Sequence, residues 1–160
     1  AEHMVKFLTS GVKIDLGGIA KGYALDCCAE KLKEAGIRDC LINAGGQVYA
    51  LGGRSNEPWR VAVRDPRKIG FLDILEIKDK SVSTSGDYEQ FFLIGKKRYS
   101  HIFDPRSGRP ADTGLDSVTV IAPDGLTADA LSTAIFVLGK VKGRELAEKF
   151  PNVQIKLVEN

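Results

Sequence analysis

Trp59-Arg60-Val61-Ala62-Val63-Arg64-Asp65-Pro66 is the stretch whose reading decides the fold class. Trp59, Val61 and Val63 alternate with Arg60, Ala62 and Arg64, and a period of two places one set on the buried face of a strand. Asp65-Pro66 begins a turn. Residues 71–77 alternate again, with Phe71, Asp73, Leu75 and Ile77 on one face and Leu72, Ile74 and Glu76 on the other. Strands are predicted at 81–85, 88–94 and 97–103, with Gly95-Lys96 as a hairpin tip. Further strands are predicted at 117–122 and 153–158.

Upstream, 12–16 reads as a short strand ending at Gly17-Gly18. A helix is expected over 19–35, with Tyr23, Ala24, Cys27, Cys28, Leu32 and Ala35 at helical spacing and Gly36 as its stop. Residues 40–44 read as a buried strand ending in Gly45-Gly46, and 47–51 as its neighbour. Downstream, Thr127 is expected to cap a helix over 128–138 that stops at Gly139, and a short helix over 142–150 stops before Pro151. About three helices beside antiparallel strands predict an α+β domain. It would occupy 5–160 as a single domain, with 1–4, including His3, read as a cloning remnant.

The 160 residues are enough for one domain with a core. With 28 % charged residues but a formal net charge of only +2, no dense basic cluster offers a nucleic-acid surface. No apolar run approaches the ~20 residues of a membrane-spanning helix, and no export signal is read. Cys27, Cys28 and Cys40 form no metal-binding spacing, and their odd count makes a poor disulfide framework, so buried free thiols are expected.

Several segments carry chemistry. His101 closes a strand-like run ahead of the turn Asp104-Pro105-Arg106-Ser107-Gly108, and its unperturbed pKa suits proton transfer near neutrality; a half-buried strand histidine would look the same. Asp15-Leu16-Gly17-Gly18-Ile19-Ala20-Lys21-Gly22 puts two glycines and a lysine where a helix begins, a place that attracts phosphate, yet it has neither P-loop nor dinucleotide-fingerprint spacing. Asn43-Ala44-Gly45-Gly46 and Ser83-Thr84-Ser85-Gly86-Asp87 read equally well as turns or as pocket edges. Asp129 and Thr133, four apart on a helix, share a face. Their oxygens suit Mg²⁺, though a first-turn aspartate also complements the helix dipole and a helical threonine can bond the carbonyl four residues back.

Taken together, 15–26 (DLGGIAKGYALD), 43–46 (NAGG), 59–66 (WRVAVRDP), 81–88 (SVSTSGDY), 99–110 (YSHIFDPRSGRP) and 128–139 (ADALSTAIFVLG) resemble the ApbE-type flavin transferases, once described as thiamine-biosynthesis lipoproteins. The segments run nearly end to end, in one order. The resemblance implies an ApbE-like (T-fold-like) domain and an Mg²⁺-dependent FAD:protein FMN transferase, which attaches FMN by a phosphoester to a threonine of an acceptor protein and releases AMP. Carried over by motif, Asp129, Thr133 and the Gly18 carbonyl would bind Mg²⁺. Lys21 would lie near the FAD phosphates, His101 would be catalytic, and Phe103 would lie close to the flavin. Asn43, Gly45 and Ser85 would edge the pocket. The resemblance leaves open an FAD pyrophosphatase giving FMN and AMP, or a non-catalytic flavin-binding fragment. Asp104 or Asp129 stays open as an alternative base. Family members are longer, so the chain is expected to correspond to their C-terminal half. An extracytoplasmic setting and a possible homo-oligomer complete these expectations, with no nucleic-acid partner.

Overall fold

The computed structural model describes residues 3–88, 90–95 and 97–160. Its centre is a five-stranded antiparallel sheet in the order β1-β2-β5-β10-β11, formed by Cys40–Ala44, Gln47–Leu51, Lys80–Gly86, Leu115–Ala122 and Gln154–Glu159. Two helices, α1 (Ala20–Glu34) and α2 (Gly125–Ala147), pack against one another. α1 rests on β1 and β2, and α2 on β5 and β10. Three two-stranded ribbons complete the chain: β3–β4 (Trp59–Arg64 with Phe71–Ile77), β6–β7 (Phe91–Ile94 with Lys97–Ser100) and β8–β9 (Phe103–Asp104 with Arg109–Pro110). The α+β class expected from the period of two is the one observed.

The inner strands β2, β5 and β10 are buried on both faces, whereas β1, expected to be buried, is half exposed at the sheet edge. On the helix side, Val118, Val120 and Ala122 of β10 pack with Ala128, Leu131, Ile135 and Phe136 of α2. Next to them, Leu25 and Ala29 of α1 cover Tyr49 and Leu51 of β2. On the other side, Ala50, Val82 and Ile121 are covered by Val63, Leu75 and Ile77 of the β3–β4 ribbon, with Trp59 at its edge. Burying each such side chain is worth ~1.5–3 kcal/mol. Register explains β5. Ser81, Ser83 and Ser85 lie opposite Ala122, Val120 and Val118, so a stripe of serines faces the helices. These hydroxyls find partners there: Ser81 Oγ donates to the Val48 carbonyl at 2.8 Å, and Ser83 Oγ lies 3.2 Å from Ser132 Oγ.

Several expectations change. Residues 12–16 form no strand and are exposed, and no described strand pairs with them. α1 forms where expected and ends in a Schellman motif, with Gly36 at φ +82° and Ile37 N–H bonded to the Leu32 carbonyl. Its buried face, however, is Gly22, Leu25 and Ala29, while Tyr23, Ala24 and Cys28 face outward. The competing apolar set was one residue out of phase, and α1 has too little apolar contrast for spacing alone to choose. The three cysteines are free thiols, but none is fully buried: Cys28 is exposed, and Cys27 and Cys40 are half-buried. The N-cap of α2 is Asp124, whose Oδ1 accepts from Thr127 N–H at 2.7 Å, so the helix starts earlier than Thr127 would allow.

Gly139 breaks α2, with φ +77° and ψ 179°. Thr113 Oγ donates to the Phe136 carbonyl at the break. The hydrogen-bonded assignment therefore counts two helices, and the third expected one is the second segment of α2. Ala1, Glu2 and Lys96, which belong to the expected remnant and hairpin tip, lie outside the described residues. Among the described residues no helix is long and apolar enough to cross a membrane.

Candidate functional site

The N-terminal turns of α1 and α2 meet at two glycines. A Cβ built on Gly22 would sit 2.1 Å from the Gly125 carbonyl oxygen, and one on Gly125 would sit 2.5 Å from the Gly22 oxygen. No side chain fits there, and the two backbones touch. A helix start leaves its first four N–H groups without intrahelical partners. In α2 side chains satisfy three of them: Gly125 and Leu126 donate to the Asp26 carboxylate at 2.6 and 2.8 Å, and Thr127 donates to Asp124 Oδ1. The Gly125 carbonyl accepts from Gln47 Nε2 at 2.9 Å. In α1 the Gly22 N–H donates to Asp129 Oδ2 at 2.9 Å.

This crossing gathers four of the residues singled out from the sequence. Gly18 lies in the loop entering α1, and a Cβ on it would be 3.1 Å from both Oγ1 and Cγ2 of Thr133. Thr133 Oγ1 lies 3.2 Å from Ser85 Oγ, which is 3.0 Å from Ser132 Oγ. Asp129 is only 2 % exposed. Oδ2 is held by the Gly22 amide, and Oδ1 has no hydrogen-bond partner among the described residues. Asp129 lies beyond the first turn of the observed helix, so complementing the dipole does not explain it. Nor does Thr133 bond the carbonyl four residues back; Ser132 Oγ instead donates to the Asp129 carbonyl at 2.9 Å.

A carboxylate oxygen, a hydroxyl and a loop carbonyl are hard oxygen donors, and this set fits Mg²⁺, which takes one or two carboxylates and completes its shell with waters and substrate phosphates. Among the described residues no three His, Cys, Asp or Glu side chains converge.

Lys21 is exposed in the first turn of α1, beside Gly22. Asn43 and Gly45 form the β1–β2 hairpin turn: Gly45 and Gly46 have φ +58° and +93°, and Asn43 Oδ1 accepts from Gly46 N–H at 3.0 Å. The positive φ at both positions is what a two-residue hairpin turn needs. The next residue, Gln47, is buried and reaches Gly125, so the turn abuts the crossing.

His101 and Phe103 stand apart from that cluster. His101 is exposed, and both its N–H and its Nδ1 contact the Gln90 carbonyl, at 3.1 and 2.9 Å. A carbonyl only accepts, so Nδ1 carries the proton and Nε2 of the neutral ring is left with a lone pair. Between them, Ile102 is buried in the core shared with α2, which turns His101 and Phe103 outward; Phe103 is 54 % exposed. Among the described residues no hydrogen bond joins His101 to Asp129 or Thr133. Asp104 is a poor alternative base: the Arg106 guanidinium and amide engage its carboxylate and hold it below its ordinary value of 3.8. A separate groove of about 1360 Å³ runs from Arg98 to the break in α2, lined by Arg106, Arg109, Lys140 and Lys142; of the candidate catalytic, binding and metal residues read from the sequence, only Asp104 lines it.

Gly22, Asp26, Gln47, Gly125 and Ser132 carry the cluster and were not singled out from the sequence. Gly22 and Asp26 lay within DLGGIAKGYALD and Ser132 within ADALSTAIFVLG, whereas Gln47 and Gly125 left no signal.

Comparison with known proteins gives the lineage. Residues 2–157 match the ApbE family. This chain belongs to the ApbE family. An FAD:protein FMN transferase from Treponema pallidum is 40 % identical over 164 residues, covering 96 % of this chain and 45 % of that protein. One from Rhodobacter capsulatus is 44 % identical over 137 residues, covering 85 % of this chain and 26 % of its own length. The ApbE protein of Thermotoga maritima superposes with a TM-score of 0.86 at 44 % identity, covering 94 % of this chain and 50 % of that one. Apo flavinyl transferase ApbE from Pseudomonas stutzeri gives 0.78 at 40 %, covering 92 % and 46 %. The chain thus spans half or less of the length of these ApbE relatives.

Proposed function

We propose that the protein takes part in Mg²⁺-dependent transfer of FMN from FAD to a threonine hydroxyl of an acceptor protein, with release of AMP. The observation that supports this reading is the convergence of Gly18, Asp129 and Thr133 at the helix crossing. The names of the relatives support the FAD and protein-acceptor parts.

In this reading the threonine oxygen forms a bond to the phosphorus on the FMN side of the pyrophosphate. The bond from that phosphorus to the bridging oxygen breaks, and AMP leaves with it. The hydroxyl proton passes to Nε2 of His101, whose Nδ1 proton is fixed by the Gln90 carbonyl. Bound Mg²⁺ would supply neutralisation of the charge that builds on the phosphate oxygens. Asp129 Oδ1, Thr133 Oγ1 and the Gly18 carbonyl would hold it, and Lys21 would add positive charge at the start of α1. Phe103 presents an exposed ring for flavin packing. An extracytoplasmic setting and self-association are proposed on the resemblance alone.

The test is incubation with FAD, Mg²⁺ and an FMN-accepting domain, using this chain alone and within a parent of the relatives' length. The acceptor should gain one FMN. Free FMN and AMP without labelled acceptor would replace transfer with hydrolysis.

A further inference from the structure

The two helices carry the same five-residue pattern at their crossing, Gly-x-x-x-Asp. It is Gly22-Tyr23-Ala24-Leu25-Asp26 on α1 and Gly125-Leu126-Thr127-Ala128-Asp129 on α2. The ties are reciprocal: the Gly125 amide donates to Asp26, and the Gly22 amide donates to Asp129. Each aspartate thus caps the other helix, and each glycine makes room for the approach. The symmetry breaks in the carboxylates. Asp26 commits one oxygen to Gly125 and the other to Leu126. Asp129 commits only Oδ2, and Oδ1 is left for a ligand.

We propose that Asp26 is a positioning residue for the Gly18–Asp129–Thr133 cluster: it locks α2 onto α1 and so sets the separation between a ligand carried by the α1 side and two carried by the α2 side. The inference rests on the reading that this cluster holds the divalent cation. Asp124 caps α2 from within the same segment but serves only Thr127, and Asp26 serves Gly125 and Leu126. What Asp26 adds is a connection across 99 positions of chain, and Gln47 holds the carbonyl of the same Gly125 from the sheet. The peptide that begins α2 is therefore gripped on both sides, one turn before Asp129. Groups one layer behind a metal ligand set its orientation, and their loss typically weakens metal affinity ~10–100-fold.

Asp26 and Asp124 offer a matched comparison, since both cap α2 and only Asp26 reaches it from α1. Amide exchange at Gly22, measured by NMR, reads the lock without metal. Mn²⁺ electron paramagnetic resonance with competing Mg²⁺ reads the cluster, in this chain and in a parent of the relatives' length. Asp26→Ala should speed Gly22 exchange and weaken cation binding at least tenfold. Asp26→Asn, which keeps one acceptor and is the variant to use if the alanine form does not fold, should show the same changes in smaller degree. Asp124→Ala should lower the melting temperature but leave both readouts within about twofold. Unchanged Gly22 exchange in the Asp26 variants, or equal changes in Asp124→Ala, overturns the proposal. A wild-type protein that binds no cation sinks the metal reading instead, and Gly22 exchange alone then decides whether Asp26 locks the helices.

Discussion

Asp129 and His101 divide the proposed chemistry between a buried group and an exposed one. Asp129→Ala would leave the Gly22 amide unpaired in a buried setting, at a cost of ~1–3 kcal/mol. Asp129→Asn keeps an acceptor for that amide while removing the charge. We predict that Asp129→Asn folds with a melting temperature near wild type and loses Mg²⁺ binding, as titration calorimetry with FAD present would show. Equal binding in mutant and wild type would remove Asp129 from the cation site. His101 sits in an exposed ring position fixed by one carbonyl, so replacing it disturbs little packing. His101→Asn should keep FAD and Mg²⁺ binding within a few-fold and slow FMN transfer by ~10²–10⁴-fold, the usual contribution of a general base. Transfer at the wild-type rate would make His101 a strand residue and nothing more.

Helix contact and turn closure belong to the next scale. Gly22→Ala drives a methyl into the Gly125 carbonyl, and neither backbone can yield without separating the helices. The expected result is a large loss of stability by chemical denaturation together with loss of cation binding. Gly45→Ala, at a solvent-facing turn with open space around it, should cost only ~1 kcal/mol for its positive φ. The turn after Phe103 carries a pH dependence. Arg106 holds the Asp104 carboxyl below 3.8, so the folded turn binds fewer protons than the unfolded chain. Its contribution is present above pH 3.8 and is lost as pH falls through the lower folded value. Amide shifts of Arg106 should therefore stay constant down to about pH 4 and change only below it. A transition nearer neutrality would mean that Asp104 is not the group that closes this turn.

At the scale of the whole molecule, the strands were legible because the β3–β4 ribbon has one wet face and one dry face, and alternation records that difference directly. The lone glycine stops at Gly36 and Gly139 were legible because positive φ excludes most other residues. The buried face of α1 was not, since two of its three buried residues are glycine and alanine, which leave little hydrophobic mark. The site divided the same way. Asp129 and Thr133 share a helix face and could be paired from spacing, whereas Asp26 and Gln47 reach Gly125 from 99 and 78 positions away, and no local pattern reports that. The strand expected over 12–16 also depends on a partner, and none lies beside it among the described residues: Leu8 is 90 % exposed, and Val12, Ile14 and Leu16 are half exposed or more. That apolar stretch lies just ahead of Gly18, and the chain covers only 45 % of the Treponema pallidum relative and 50 % of the Thermotoga maritima one. The central claim, FMN transfer at the helix crossing, is tested most directly by intact mass spectrometry of a threonine-bearing acceptor domain after incubation with FAD, Mg²⁺ and the protein in a parent of the relatives' length. The account predicts an acceptor heavier by one FMN, lost with Asp129→Asn and with His101→Asn; an acceptor of unchanged mass, beside a folded protein that binds FAD, would contradict it.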